Sequence, residues 1–230
     1  KHHGFGDQLC VGQNVAISMR DFANEEVTDK VMHDYIATQH MDAAYIHYSP
    51  GTLRAAGCHL DASLWRPEAF PGWNLDWQKA LEVVPSDSVT DPLQCDVWEE
   101  TPTLLLQRDT FANFFHDSED FFNTFIALAV LQWSTRDTQV VLADLYPKGP
   151  FWDMWDRVFN GGGDGRGPLT AWDLKKKYGG RRVCYRRLAL GILGAASPIT
   201  VASWRTPCHA TPLVRAYADF VIRGLGLAHR

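Results

Sequence analysis

His116 and Asp120 stand four residues apart in an otherwise aromatic and aliphatic segment, FANFFHDSEDFFNTFIALAVLQW, residues 111–133. An imidazole with a carboxylate at i, i+4 on a helix has a definite chemical use. The carboxylate hydrogen-bonds one ring nitrogen and fixes the tautomer, leaving the other nitrogen to take a proton. The alternative is a solvated helix face with a structural histidine. Two features weigh towards chemistry. At about 100° per residue, Asn113, His116, Asp120 and Thr124 share one narrow stripe. That stripe also follows closely on the apolar run Thr103 to Leu106, so it lies near the C-terminal end of a strand, where open α/β sheets place their ligand crevices. Gln107 and Asn113 offer amides to a hydroxyl-rich ligand. Arg108 either binds a phosphate oxygen or pairs with an acid such as Glu119. Glu119 itself falls off the stripe, towards the apolar side. Asp144, at the end of a second apolar run, either contacts substrate or caps the following turn.

The elements that must position these groups can be read from pattern. Thr103 to Leu106 reads as a buried strand. Thr110 to Trp133 reads as a long helix with Asp109 or Thr110 as N-cap and Phe115, Phe122, Ile126 and Ala129 on its core face. Asp137 to Leu145 is a second strand, Phe151 to Phe159 a short aromatic helix, and Thr170 to Tyr178 a short helix or turn. Val183 to Ile192 is a third strand and Leu213 to Leu225 a closing helix. Strand and helix alternate, which argues for a parallel sheet with helices on its faces. NGGGDGRGP, residues 160–168, lacks the Gly-Lys-Ser/Thr of a phosphate loop and reads as surface. Before residue 95 the pattern is weaker. Asn24 to Thr38 suits a helix, Met41 to His47 a strand, Gly57 to Trp77 irregular chain, and Val83 to Gln94 a connector.

The segment Cys95 to Phe121, CDVWEETPTLLLQRDTFANFFHDSEDF, resembles glycosyltransferase family 61. The likeness rests on Trp98, Glu100 to Leu105, Gln107, Arg108, Ala112, Asn113, Phe115, His116 and Asp120, and is nearest to the plant-type β-1,2-xylosyltransferases. HDSEDFFNTF, residues 116–125, is also similar to the matching helix of the family's EGF-domain O-GlcNAc transferases. The resemblance implies an inverting, metal-independent enzyme of the GT-B class. Residues 95–230 would be the Rossmann-like N-terminal lobe and residues 1–94 an extension of unclear fold. The nucleotide-sugar lobe, with the family's His-Gly-Ala-Gly motif, would lie outside this chain. His116 would be the catalytic base, Asp120 its orienting partner or the base itself, and Gln107, Arg108, Asn113, Glu119 and Asp144 substrate contacts. The donor would be UDP-xylose or UDP-GlcNAc, with xylose leading, and the acceptor a glycan or glycoprotein. The full protein would sit in the Golgi or ER lumen behind a type II anchor. A non-catalytic carbohydrate-binding lobe is the chief alternative. A hydrolase ranks last, because no Gly-x-Ser-x-Gly elbow is present.

Bulk properties narrow the field further. Of the 230 residues, 46% are hydrophobic, enough for a sizeable core. The net charge of −5 gives no electrostatic reason to expect nucleic acid or an anionic membrane. No apolar run approaches the roughly 20 residues that span a bilayer. Cysteines at 10, 58, 95, 184 and 208 include no CxxC pair, which speaks against zinc. Their number allows two disulfides and a free thiol, or five buried thiols. The histidines of the first sixty residues fit no ligand spacing.

Overall fold

The computed structural model describes residues 9–22, 33, 44–57, 80–84, 91–160, 166–192, 197, 199 and 212–227. The two apolar runs are strands β5 (Thr103–Leu106) and β6 (Gln139–Leu142), paired in parallel with Leu104 opposite Val140 and Leu106 opposite Leu142. On the other side of β5 lies the nine-residue β8 (Arg182–Leu190), also parallel. β4 (Val97–Glu99) pairs with the first half of β8, and the two-residue β7 (Leu169–Thr170) extends the sheet beyond β6.

The sheet is mixed rather than wholly parallel. β1 (Cys10–Ser18) runs antiparallel to β8 along its whole length and antiparallel to β2 (Leu53–Ala56). β3 (Leu81–Val84) then pairs in parallel with β2. The path is β3-β2-β1-β8-β5-β6-β7, so strands from both sides of residue 94 share one sheet. Val83 and Val84 therefore belong to a strand, not to a connector. Residues 44–47 form no strand. The readings over 24–38 and 57–77 fall almost wholly outside the described residues.

Side chains alternate across the pleat and define two cores. Leu104, Leu106, Val140 and Leu142 cluster with α1 (Phe114–Leu131) and α2 (Trp152–Phe159) through Phe121, Leu128, Trp155 and Phe159, and α4 (Pro212–Gly224) packs against the cluster with Tyr217, Phe220 and Val221. Leu105 and Val141 face the other way, onto α3 (Ala171–Tyr178), which presents Ala171, Leu174 and Tyr178. Helices thus cover both faces. The start of α3 is set by a capping box between Thr170 and Asp173. In its last turn Lys175 Nζ donates to the carbonyls of Met19 and Arg20, both in the short 3₁₀ turn after β1.

Cys95 and Cys184 form a disulfide between the chain just before β4 and the first half of β8, 89 positions apart in sequence. Cys10 is a free thiol; Cys58 and Cys208 lie outside the described residues. A loop of this length removes much entropy from the unfolded chain, so losing the crosslink is expected to cost about 2–5 kcal/mol. Urea unfolding of a Cys95→Ala/Cys184→Ala variant measures this. An unchanged midpoint would mean that the crosslink adds nothing to the sheet.

Candidate functional site

The site grows from the C-terminal ends of β5 and β6. The chain leaves β5 through Gln107 and Arg108, both buried, and leaves β6 through Ala143 and Asp144, also buried. Arg108 and Asp144 clasp each other across the two strand ends. Nη2 lies 2.7 Å from Oδ1, and Nε and the backbone N–H of Arg108 reach Oδ2 at 3.1 and 3.0 Å. Two further guanidinium N–H groups go to the carbonyls of Tyr146 and Lys148. Burial opposes the charge on Arg108, but the carboxyl groups around it, Asp144 foremost with Asp117 and Asp120 behind, together hold the guanidinium pKa above its ordinary value. Asp144 also accepts the backbone N–H of Tyr146 at 3.1 Å, so it caps the turn as well. Of the two readings of Arg108, the structure shows pairing with an acid, and the acid is Asp144 rather than Glu119.

That clasp fixes the loop between β5 and α1. Tyr146 Oη donates to the carbonyl of Asp109 at 3.1 Å, and its ring packs on Phe111. Gly149 passes so close beneath Phe111 that a Cβ there would lie 2.3 Å from the Phe111 carbonyl oxygen, and its φ of 77° suits only glycine. α1 begins four residues later than its pattern suggested. Its N-cap is Asn113, whose Oδ1 accepts from Phe115 N–H at 3.1 Å; neither Asp109 nor Thr110 fills that position.

The phase of α1 also departs from expectation. Phe115 is 53% exposed, Ala129 is exposed and Ile126 half-buried; of the expected core face only Phe122 is buried. The inward face instead carries Asp117, Glu119, Asp120, Asn123 and Thr124 beside Phe121, Phe122, Ala127 and Leu128. Thr124 returns its hydroxyl to the carbonyl of Asp120.

Asp120 was expected to hydrogen-bond His116. Its Oδ2 instead accepts the backbone N–H of Asp109 at 3.0 Å, so it ties down the loop. The carboxylates that hold His116 are Asp109, with Oδ2 2.6 Å from Nδ1, and Glu119, with Oε2 3.1 Å from Nδ1. Glu119 reaches the ring from i+3, which explains why it lay off the polar stripe. With Nδ1 facing two carboxylates, the neutral ring carries its proton there, and Nε2 keeps its lone pair with no partner among the described residues. The ring is about one-third exposed. Gln107 is 5% exposed and its side-chain N–H groups have no partner among the described residues. Phe114 and Phe115 stand exposed beside His116, Phe115 edge-on to the imidazole at 5.3 Å.

Sequence reasoning missed the acidic density here. Asp109 was read only as a cap, and Asp117 not at all, although HDSED spells it out. Burial raises the carboxyl pKa of Asp109, Glu119 and, most strongly, Asp120, and pushes Asp117 up to about 7 against the pull of Arg108. Asp109, His116 and Glu119 also place one donor atom each within 4.8 Å of one another, close enough to share a metal ion. A proton on Nδ1 between the two carboxylates accounts for the same distances.

The raised Asp117 pKa has a consequence for stability. A carboxyl whose folded pKa lies above its unfolded value makes the protein less stable as pH rises from about 4 to about 7, with no further loss above. Asp117→Asn is therefore expected to melt like the parent near pH 4 and to be the more stable by a few kcal/mol, to order of magnitude, near pH 8. Melting curves at the two pH values decide; an equal gap at both would remove the titration account.

No protein-family model matches the chain. It is similar to the EGF domain-specific O-linked N-acetylglucosamine transferase of Drosophila melanogaster, 25% identical across 97% of this chain and 41% of that protein. It is also similar to a beta-1,2-xylosyltransferase of Oryza sativa subsp. japonica, 30% identical across 44% of this chain and 17% of that protein. Both distant relatives carry glycosyltransferase names, in accord with the family resemblance. The chain spans less than half the length of either.

Proposed function

We propose that this chain is the acceptor-side part of an inverting glycosyltransferase, with His116 as the general base. One observation carries the reading: Nδ1 of His116 is held by Asp109 and Glu119 while Nε2 is left open, at the C-terminal edge of a parallel strand pair. A sugar hydroxyl or a serine or threonine hydroxyl is a weak nucleophile at neutral pH. It attacks the anomeric carbon of a nucleotide sugar, the bond to the nucleotide phosphate breaks on the opposite face, and the configuration inverts. The hydroxyl proton passes to Nε2 as the new bond forms. Asp109 and Glu119 stabilise the imidazolium that results.

The other residues support this centre. Gln107 has amide donors to offer an acceptor hydroxyl, and Asn113 keeps its amide nitrogen beyond the one oxygen used as cap. The exposed rings of Phe114 and Phe115 form an apolar rim against which a sugar or peptide packs. Arg108, Asp144 and Asp120 position the loop and do not touch substrate.

On this reading the mixed sheet is the N-terminal lobe of a GT-B enzyme, and the donor lobe belongs to another part of the protein. The Cys95–Cys184 disulfide supports a Golgi or ER lumenal setting, since such bonds persist in oxidising compartments. The alignment that covers nearly all of this chain makes UDP-GlcNAc the first donor to test, with a protein hydroxyl as acceptor. UDP-xylose with an N-glycan acceptor is the second, on the higher identity of the shorter match. The experiment is to incubate the intact protein with each donor and a glycoprotein acceptor, and to follow UDP release and acceptor mass. UDP release matched by acceptor mass gain is the expected result. Glycan binding with no response to any nucleotide sugar would mean a non-catalytic lobe.

A further inference from the structure

Arg136, Arg157 and Arg223 line a single pocket of about 300 Å³ together with Thr135, Val158, Phe220 and Gly224. They come from three separate places: the turn after α1, the last turn of α2 and the last turn of α4. The two helix ends meet because residue 224 is glycine. A Cβ there would lie 2.9 Å from the Cα of Val158.

Among the described residues none of the three guanidinium groups makes an ion pair or a side-chain hydrogen bond. Asp153 and Asp219, one turn earlier on α2 and α4, pair with neither Arg157 nor Arg223. Arginine near a helix C-terminus complements the helix dipole, which accounts for Arg157 and Arg223 one at a time. It does not account for their sharing a pocket with Arg136. Like charges that share one pocket repel one another, and in a chain of net charge −5 acidic partners were not scarce. Three planar forks of N–H donors match the oxygens of a tetrahedral oxyanion.

We propose that this pocket binds an oxyanion group, phosphate or sulfate, either free or carried on a sugar. It is separate from the His116 site. α1 starts at that site and runs 18 residues, about 27 Å, before the turn that holds Arg136.

Isothermal titration of the intact protein at fixed ionic strength tests this, with inorganic phosphate, inorganic sulfate, glucose 6-phosphate, glucose 6-sulfate and neutral glucose as probes. Saturable binding of at least one oxyanion and none of glucose is expected. Arg136→Ala, Arg157→Ala and Arg223→Ala should each weaken it by about tenfold or more. Arg187→Ala, on β8 outside the pocket, should leave it unchanged. Preference between the sugar esters identifies the oxyanion, and comparison with the inorganic ions tells whether the sugar matters. The guanidinium groups are exposed, so the variants should fold; arginine to glutamine gives a second set if one does not. No saturable binding of any oxyanion would overturn the proposal. So would a loss in Arg187→Ala as large as in the pocket variants.

Discussion

Alanine at Asp144 is expected to destabilise the protein by about 3–5 kcal/mol. Both partners of the Arg108–Asp144 pair are fully buried, and three of the contacts on Arg108 end on this one carboxylate. Removing it leaves a guanidinium with no counter-charge where water does not reach. The carbonyls of Tyr146 and Lys148 offset only part of that cost. The Tyr146 N–H loses its acceptor in the same step. An Arg108→Met/Asp144→Leu double variant removes both charges together. It should recover much of the loss, because a buried ion pair replaced by apolar groups is often close to neutral. Urea unfolding of the three proteins is the measurement. A loss below about 0.5 kcal/mol in Asp144→Ala, the scale of an ordinary surface change, would show that the pair does not hold the strand ends together. Arg108 would then be free to serve a substrate phosphate.

The parts of this fold that were legible in sequence are those where pattern and environment agree. TLLL and QVVL are short, apolar and flanked by polar breaks, and both are buried parallel strands. FWDMWDRVF gives a helix because its apolar residues recur at helical spacing above a tight turn. β1 was invisible for a local reason. Gly12 and Asn14 break its alternation, Asn14 with a φ of 52°, and its partner β8 lies some 170 residues away. Nothing local announces a strand whose pairing is so distant.

The phase of α1 failed for a different reason. Amphipathic reasoning assigns apolar residues to the inside. Here the inward face carries three acids, an asparagine and a threonine, partly satisfied by the loop after β5, while two phenylalanines face outward. Conflicts of this kind between local pattern and global fold are expected at functional or strained sites. The same conflict explains why Asp109, not Asp120, reached His116. The loop folds back over the first turn of the helix, and no i, i+4 rule anticipates a partner that precedes the helix.

That geometry makes the catalytic test a comparison of three carboxyl and imidazole changes. On the proposed function, His116→Ala should reduce transferase turnover of the intact protein by about 10² to 10⁴, with little change in stability. Its ring is partly exposed, and Asp109 and Glu119, whose pKa values burial already raises, can take up protons when the imidazole is gone. Asp109→Asn keeps the shape but sets an amide against Nδ1. With its N–H₂ turned to the ring, the proton moves to Nε2 and the base is lost, the effect that an asparagine has behind a histidine base elsewhere. Its penalty should approach that of His116→Ala, relieved only by Glu119. Asp120→Asn keeps an oxygen to accept the Asp109 N–H and leaves the ring contacts intact. Its effect should stay below tenfold, about 1.4 kcal/mol. Initial rates for the three variants separate the alternatives, with melting temperatures to confirm folding. A collapse in Asp120→Asn with Asp109→Asn near the parent would return the orienting role to Asp120. Near-parental rates in His116→Ala would take the base away from this helix altogether.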